Sequence, residues 1–291
     1  MVKYILERCV NKMKIITNEL INNFKIYLYE EERSGNTIEK YMRDVRFFRE
    51  WLQGRNVDKS VVIEYKKELC QRYEMKSVNS MLSSVNAFFV FMGWYDLKIK
   101  TLKIQKQIFA KDEKELTKDE YKRLLNAAKS KGNQKLFLLM QTICATGIRV
   151  SELKYITLEV LKDGRADVNM KGKLRVIIIP QELCKMLKRY AAEQKITSGS
   201  IFVTKTGRPL DRTNIWKMMK ALCESANVDK GKVFPHNLRH LFARTFYSIE
   251  KDIVRLADIL GHSSVNTTRI YTMETWKICR RQVQRLGLLR C

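Results

Sequence analysis

Between Lys98 and Lys114 the chain loses its apolar periodicity and gathers six lysines, at positions 98, 100, 103, 106, 111 and 114. A stretch of this kind cannot cross a packed core, so the chain is expected to fold as two bodies joined by a basic linker. The boundary falls near Asp112, giving a first domain of residues 1–112 and a second of 113–291. With 291 residues in all, each part is long enough to bury a core of its own.

Both parts are basic. Residues 1–112 hold 21 Lys and Arg against 14 Asp and Glu, a net of +7, which leaves 35 against 17, or +18, for the rest. The total of +25 far exceeds what solubility needs and suits a long polyanion, nucleic acid ahead of an acidic membrane. No apolar run approaches the roughly 20 residues of a spanning helix. The start, Met1 to Lys14, mixes Lys3, Glu7, Arg8 and Lys12 among its apolar residues, unlike a secretory leader. The seven cysteines, at 9, 70, 144, 184, 223, 279 and 291, are odd in number, scattered and free of any Cys-x-x-Cys pair. Neither a disulfide framework nor a zinc site is implied, and a reducing cytoplasm fits.

Helical patterning dominates residues 17–97. An amphipathic stretch runs from Leu20 to Tyr29. In the next helix Asn36 or Thr37 can serve as cap, and Ile38, Tyr41, Val45, Phe48 and Leu52 form one face while Lys40 and Arg43 point away. From Ser77 to Met92 a further face carries Val78, Leu82, Val85, Phe89 and Met92, with Gly93 as C-terminal cap. Its other side holds Ser80, Ser83, Ser84 and Asn86, a surface small enough to approach a DNA groove or simply a solvated face. Past the linker, Thr117 and Glu120 read as a capping box, and Gln134 to Ala145 as an apolar helix closed at Gly147. Strands first appear from Arg165 to Met170, after an Asp-Gly turn, and from Val176 to Ile179, after a turn at Lys171 to Lys173. Helices resume near Leu183. A short strand at Ile201 to Val203, a Gly207-Arg208-Pro209 turn and helices at Thr213 to Ser225 and Pro235 to Tyr247 follow. The fold class is therefore mainly α with a small antiparallel sheet (α+β).

Six residues could carry chemistry on a phosphodiester: Arg149, Lys171, His236, Arg239, His262 and Tyr271. His236 and Arg239, three apart on one helix, can share a face and grip one anion. Arg149 is expected in the first turn of a helix that begins just after Gly147, where free amides would join it on a phosphate; the alternative is an ordinary salt bridge to Glu152. All three histidines of the chain lie between 236 and 262. His236 and His240 are four apart but lack the companion carboxylate or cysteines of a metal site, so no metal is expected.

The segments Thr146-Gly-Ile-Arg149-Val-Ser-Glu152-Leu153, His236-Asn-Leu-Arg239-His240 and Gly261-His262 through Thr267-Thr-Arg-Ile-Tyr271-Thr272 together resemble the phage-integrase family of tyrosine recombinases, Xer-like or mobile-element integrases. The motif resemblance runs from about Thr117 to Glu274; the first half resembles the family's helical core-binding domain only in size and pattern. The resemblance implies site-specific DNA recombination: Tyr271 attacks a scissile phosphate to give a 3′-phosphotyrosyl bond, and a homotetramer exchanges strands through a Holliday junction. It implies that Arg149, Arg239, His236 and His262 contact the phosphate and that Glu152 orients basic groups. It places at Lys171 the acid that protonates the leaving 5′-oxygen. Met170 replaces the usual glycine before that lysine, and Lys173 is a plausible substitute. His240 is expected to pack structurally.

A free tyrosine has a pKa of about 10, so such a site must accept the phenolic proton or lower that value. Lys40, Arg43, Ser80, Ser83, Ser84, Lys103 and Lys106 are candidate DNA contacts. No cofactor, neither ATP nor metal, is expected, and the partners are double-stranded DNA carrying a specific recombination site and, optionally, an accessory DNA-bending protein. Residence would be cytoplasmic, bacterial-type and nucleoid-associated. The basic segment from Trp276 to Arg290 would dock on a neighbouring protomer or fold back on its own domain. The rival readings are a type IB topoisomerase and a DNA-binding regulator that has lost its chemistry.

Overall fold

The computed structural model describes residues 13–104, 115–170, 173–204, 206–273, 276–286 and 288. The expectations for Lys106, Lys171 and the boundary at Asp112, like that for the Lys173 side chain, lie outside the described residues. Contacts divide the chain into two compact units, Met1–Lys106 and Gln107–Cys291.

Among the described residues the first unit is built from four α-helices, α1 (Asn18–Glu30), α2 (Gly35–Leu52), α3 (Lys59–Arg72) and α4 (Met75–Phe91). Thr17 caps α1 and Asp58 caps α3, each through a side-chain oxygen that accepts a backbone N–H, as short polar residues at helix starts do. The cap of α2 is Ser34 and not Asn36 or Thr37, both of which lie inside the helix. Apolar positions at helical spacing meet in the centre: Phe24, Phe48, Tyr65, Phe88 and Phe89 are fully buried, with Phe24 edge-on to Phe88 at 5.2 Å.

Two polar expectations change here. Lys40 does not point away from the bundle; its ammonium bonds Asp44, one turn along its own helix, at 2.5 Å and reaches across to α4, to Ser84 Oγ at 2.9 Å and the Ser80 carbonyl at 2.9 Å. Asp44 is buried, and a buried carboxylate needs a cation and donors around it. Ser84, at 0% exposure, completes that cluster and cannot touch DNA. Asn79 and Asn86, also on α4, hold the backbone of Leu102 and Ile99. Arg43, Ser80, Ser83 and Lys103 stay exposed.

In the second unit, helix α5 (Lys118–Ser130) opens with a complete capping box: Glu120 N–H donates to Thr117 Oγ1 at 3.1 Å and Thr117 N–H to the Glu120 carboxylate at 2.8 Å. Helix α6 (Gln134–Thr146) ends at Gly147, which takes the left-handed conformation with φ 64°. Strands β1 (Arg165–Met170) and β2 (Lys173–Ile178) form a two-stranded antiparallel sheet in the register Arg165↔Ile178 to Met170↔Lys173. β2 thus starts three residues before the expected Val176, and its alternation turns Arg175 and Ile177 inward.

The strand expected at Ile201 to Val203 is reduced to two isolated bridges, Thr157↔Ser200 and Val203↔Pro209. Pro209 has no N–H to extend a ladder. Helix α7 (Gln181–Glu193) is followed by α8 (Arg212–Lys220), which stops short of the expected Ser225. Helices α9 (Pro235–Glu250), α10 (Ile253–Leu260), α11 (Val265–Thr268) and α12 (Trp276–Gln284) complete the described chain, with a 3-10 turn at Arg269–Tyr271. The segment after Gly147 is a 3-10 helix, Val150–Tyr155, and Arg149 is its cap residue rather than part of an α-helical first turn.

Candidate active site

The site gathers where α9, α10 and the turns after Gly147 and Gly261 meet. Close packing makes this junction possible. A Cβ on Gly147 would come within 2.4 Å of Phe242 on α9, and one on Gly261, with φ 63°, within 2.5 Å of Arg175; only glycine fits either turn.

Arg239 lies at the centre, 1% exposed. Its Nη1 donates to the Gly147 carbonyl, and its Nη2 donates to the Leu260 carbonyl at 2.7 Å and to His262 Nε2 at 2.9 Å. Burial and the neighbouring Arg149 and Arg175 pull its pKa down to about 10, with the Tyr271 phenol beside it acting in the opposite sense; the guanidinium is still charged at neutral pH. The Arg239 Nε is buried with no hydrogen-bond partner.

Tyr271 sits 3% exposed among Ala243, Leu256 and Leu260, with Phe242, Phe246 and Tyr247 against them. His240 packs edge-on to it at 4.6 Å, His262 stacks at 5.9 Å, and His236 reaches His240 at 4.7 Å while keeping an exposed edge. His262 is held from both sides, its Nδ1 pairing with Thr268 Oγ1 at 2.8 Å. With Arg239 donating to Nε2, the proton belongs on Nδ1. Burial first, and the surrounding arginines second, push His262 down to about 4. Burial and the His236 and Arg239 charges take His240 to about 4, and His236 is lowered by burial and by Arg239, Arg149 and Arg212. All three imidazoles are neutral at pH 7.

Arg149 bonds Glu152 Oε1 at 2.9 Å and the Gly261 carbonyl at 3.2 Å, and its side chain stays 39% exposed. The salt bridge weighed as an alternative is therefore present, and the guanidinium still offers an open edge. Glu152, 1% exposed, is shared between Arg149 and Arg175. Burial alone would raise its pKa; the Arg175 charge and the Arg149 N–H and guanidinium outweigh this and hold the carboxyl below its usual range.

The structure thus brings together Arg149, Glu152, Arg239, His262 and Tyr271, with His236 at the rim. Sequence reading missed Arg175 and Thr268. The signal for Arg175 was a lone arginine at an inward position of a β-branched strand, which is costly unless a carboxylate meets it.

A model of the phage integrase family matches residues 114–277, and one of the phage integrase N-terminal SAM-like domain matches residues 21–94. Tyrosine recombinase XerA of Pyrococcus furiosus is 30% identical over 287 residues, covering 95% of this chain and 96% of that protein. Tyrosine recombinase XerD of Halalkalibacterium halodurans is 28% identical over 285 residues, covering 90% and 95%. In fold, the chain matches a lambda integrase tetramer bound to a Holliday junction with a TM-score of 0.70 at 17% identity, over 90% of this chain and 78% of that one. The chain belongs to the phage integrase family. It is a tyrosine-type site-specific recombinase acting on DNA, with an N-terminal SAM-like domain ahead of its catalytic domain. Among the described residues no helix is long and apolar enough to cross a membrane.

Proposed function

We propose that Tyr271 cleaves one strand of a specific duplex site by attack on the scissile phosphate, and that four protomers exchange strands through a Holliday junction. The Tyr271 oxygen bonds to phosphorus as the bond to O5′ breaks, giving a 3′-phosphotyrosyl link and a free 5′-hydroxyl. His236, neutral and open at its edge, takes the phenolic proton, and Lys171 or Lys173 delivers one to the leaving oxygen. Arg149 and Arg239 stabilise the charge that develops on the non-bridging oxygens. Rejoining to a partner's 5′-hydroxyl reverses the step, so bond energy is conserved without ATP.

The observation that carries this reading is the packing of the Tyr271 phenol against the Arg239 guanidinium, beneath His262 and beside Arg149. Support for a tetramer on DNA comes from the lambda integrase neighbour. Arg43, Ser80 and Ser77 line an open cleft of about 390 Å³ on the first unit, a surface suited to phosphate contact.

The test is covalent trapping. Incubating the protein with host genomic DNA, stopping the reaction with detergent and sequencing the ends attached to protein should yield one recurrent sequence, to be rebuilt as a nicked suicide duplex. Wild type should form an adduct with that duplex; Tyr271→Phe should bind it with unchanged affinity and form none. An adduct in Tyr271→Phe would move the nucleophile elsewhere, and no adduct in wild type would overturn the reading.

A further inference from the structure

Three guanidinium groups are spent on three consecutive backbone carbonyls. Arg175 donates from Nε and Nη2 to the Ile259 carbonyl at 3.1 and 2.7 Å. Arg239 donates to Leu260 at 2.7 Å and Arg149 to Gly261 at 3.2 Å. These carbonyls end α10, where the helix has no donors of its own left and its dipole favours positive charge. His262 follows at once, and the turn carrying Tyr271 lies nine residues further on.

Arg149 and Arg239 belong to the phosphate site already described. Arg175 faces away from solvent, its side chain 7% exposed, and its remaining Nη1 bonds Glu152. Glu152 turns its other oxygen to Arg149. Arg175 is therefore tied to both walls of the site, to Arg149 through the carboxylate and to His262 through the Ile259 carbonyl. The glycine at 261 fits this role, since a Cβ there would collide with the Arg175 Cδ at 2.5 Å. A lysine could not replace it, because a single ammonium cannot direct bonds to two groups on opposite sides as a planar fork does.

Charge fits the same chemistry. Three guanidinium groups meet here with one buried carboxylate, which bonds Arg149 and Arg175 while Arg239 turns to backbone carbonyls, and an excess of two positive charges is left. A phosphodiester carries one negative charge, and its pentacoordinate transition state with a phenolic oxygen carries a second. Groups that match the transition state better than the ground state accelerate the step.

Resting on the recombinase reading above, we propose that Arg175 is a positioning residue of strand transfer. It locks Arg149 and the His262 turn into one frame, without touching DNA itself.

The experiment compares Arg175→Lys, Arg175→Met and the double variant Glu152→Gln/Arg175→Met with wild type. Single-turnover cleavage is followed on a nicked suicide duplex carrying the trapped sequence, alongside DNA affinity and thermal melting. Both single variants should bind DNA within about twofold of wild type and cleave at least tenfold more slowly, at temperatures where melting shows them folded. The double variant removes a buried charge pair together and keeps the surplus of two positive charges, so melting should recover towards wild type while cleavage, which needs the lost frame, stays slow. Should cleavage recover with melting in the double variant, Arg175 is a structural partner only and the inference falls. Cleavage within twofold of wild type in either single variant also sinks it. A wild-type control that forms no adduct would overturn the recombinase reading itself, a result distinct from a wild-type adduct that the Arg175 variants match.

Discussion

Gly147 shows how much one residue can decide. Its φ of 64° ends α6, its carbonyl accepts from Arg239, and its missing side chain admits the Phe242 ring. Gly147→Ala would face both a left-handed backbone and a ring 2.4 Å from its new methyl group, which should cost about 1–3 kcal/mol. Thermal melting checks this: a fall of several degrees is expected, and an unchanged midpoint would mean that Phe242 gives way freely. Residues such as Gly147 were legible in sequence because a glycine closing an apolar helix has a local cause. Arg175 was not, because its partners Glu152 and Ile259 lie 23 and 84 positions away and only the folded chain brings them together. Lys40 and Ser84 were misread for the same reason: the buried Asp44 that claims both cannot be told from a surface aspartate by spacing alone.

Among the elements, those with strong end signals were read well. The capping box of α5 and the stretch Arg165–Met170 stand where the sequence placed them. The box makes a quantitative forecast: Thr117→Ala removes the acceptor for the Glu120 N–H and should lower stability by about 1 kcal/mol. Chemical denaturation would reveal it as a shifted midpoint with unchanged slope, and no shift would show that Glu120, which also pairs with Lys232 at 2.9 Å, holds the helix start without its partner. Elements without such signals were harder. The run at Ile201 to Val203 has the composition of a strand, yet strand length is set by the partner available, and here that partner offers only Pro209 and Ser200's neighbour Thr157 across single bridges. The 3-10 course after Arg149 depends on the Glu152 carboxylate accepting the Arg149 N–H at 2.8 Å and being drawn inward by Arg175.

At the scale of the molecule, the buried histidines link stability to pH. His240 and His262 titrate near 4 when folded, against 6.5 for an ordinary imidazole. The unfolded chain then binds more protons between those values, so the contribution is complete above pH 6.5 and is lost as pH falls towards about 4. Melting temperature should therefore drop across that window, and His240→Asn should flatten the drop; an equally steep fall in that variant would assign it to other groups.

The burial of Tyr271 has a further consequence when set beside the charge of +25. A protein this basic also binds arbitrary stretches of DNA, through phosphate attraction alone. With Tyr271 as the nucleophile proposed above, an oxygen open to solvent would make every such encounter a chance to break a strand. Held 3% exposed against two imidazoles, the phenol is shielded at such encounters, so a wide search of DNA need not scar it.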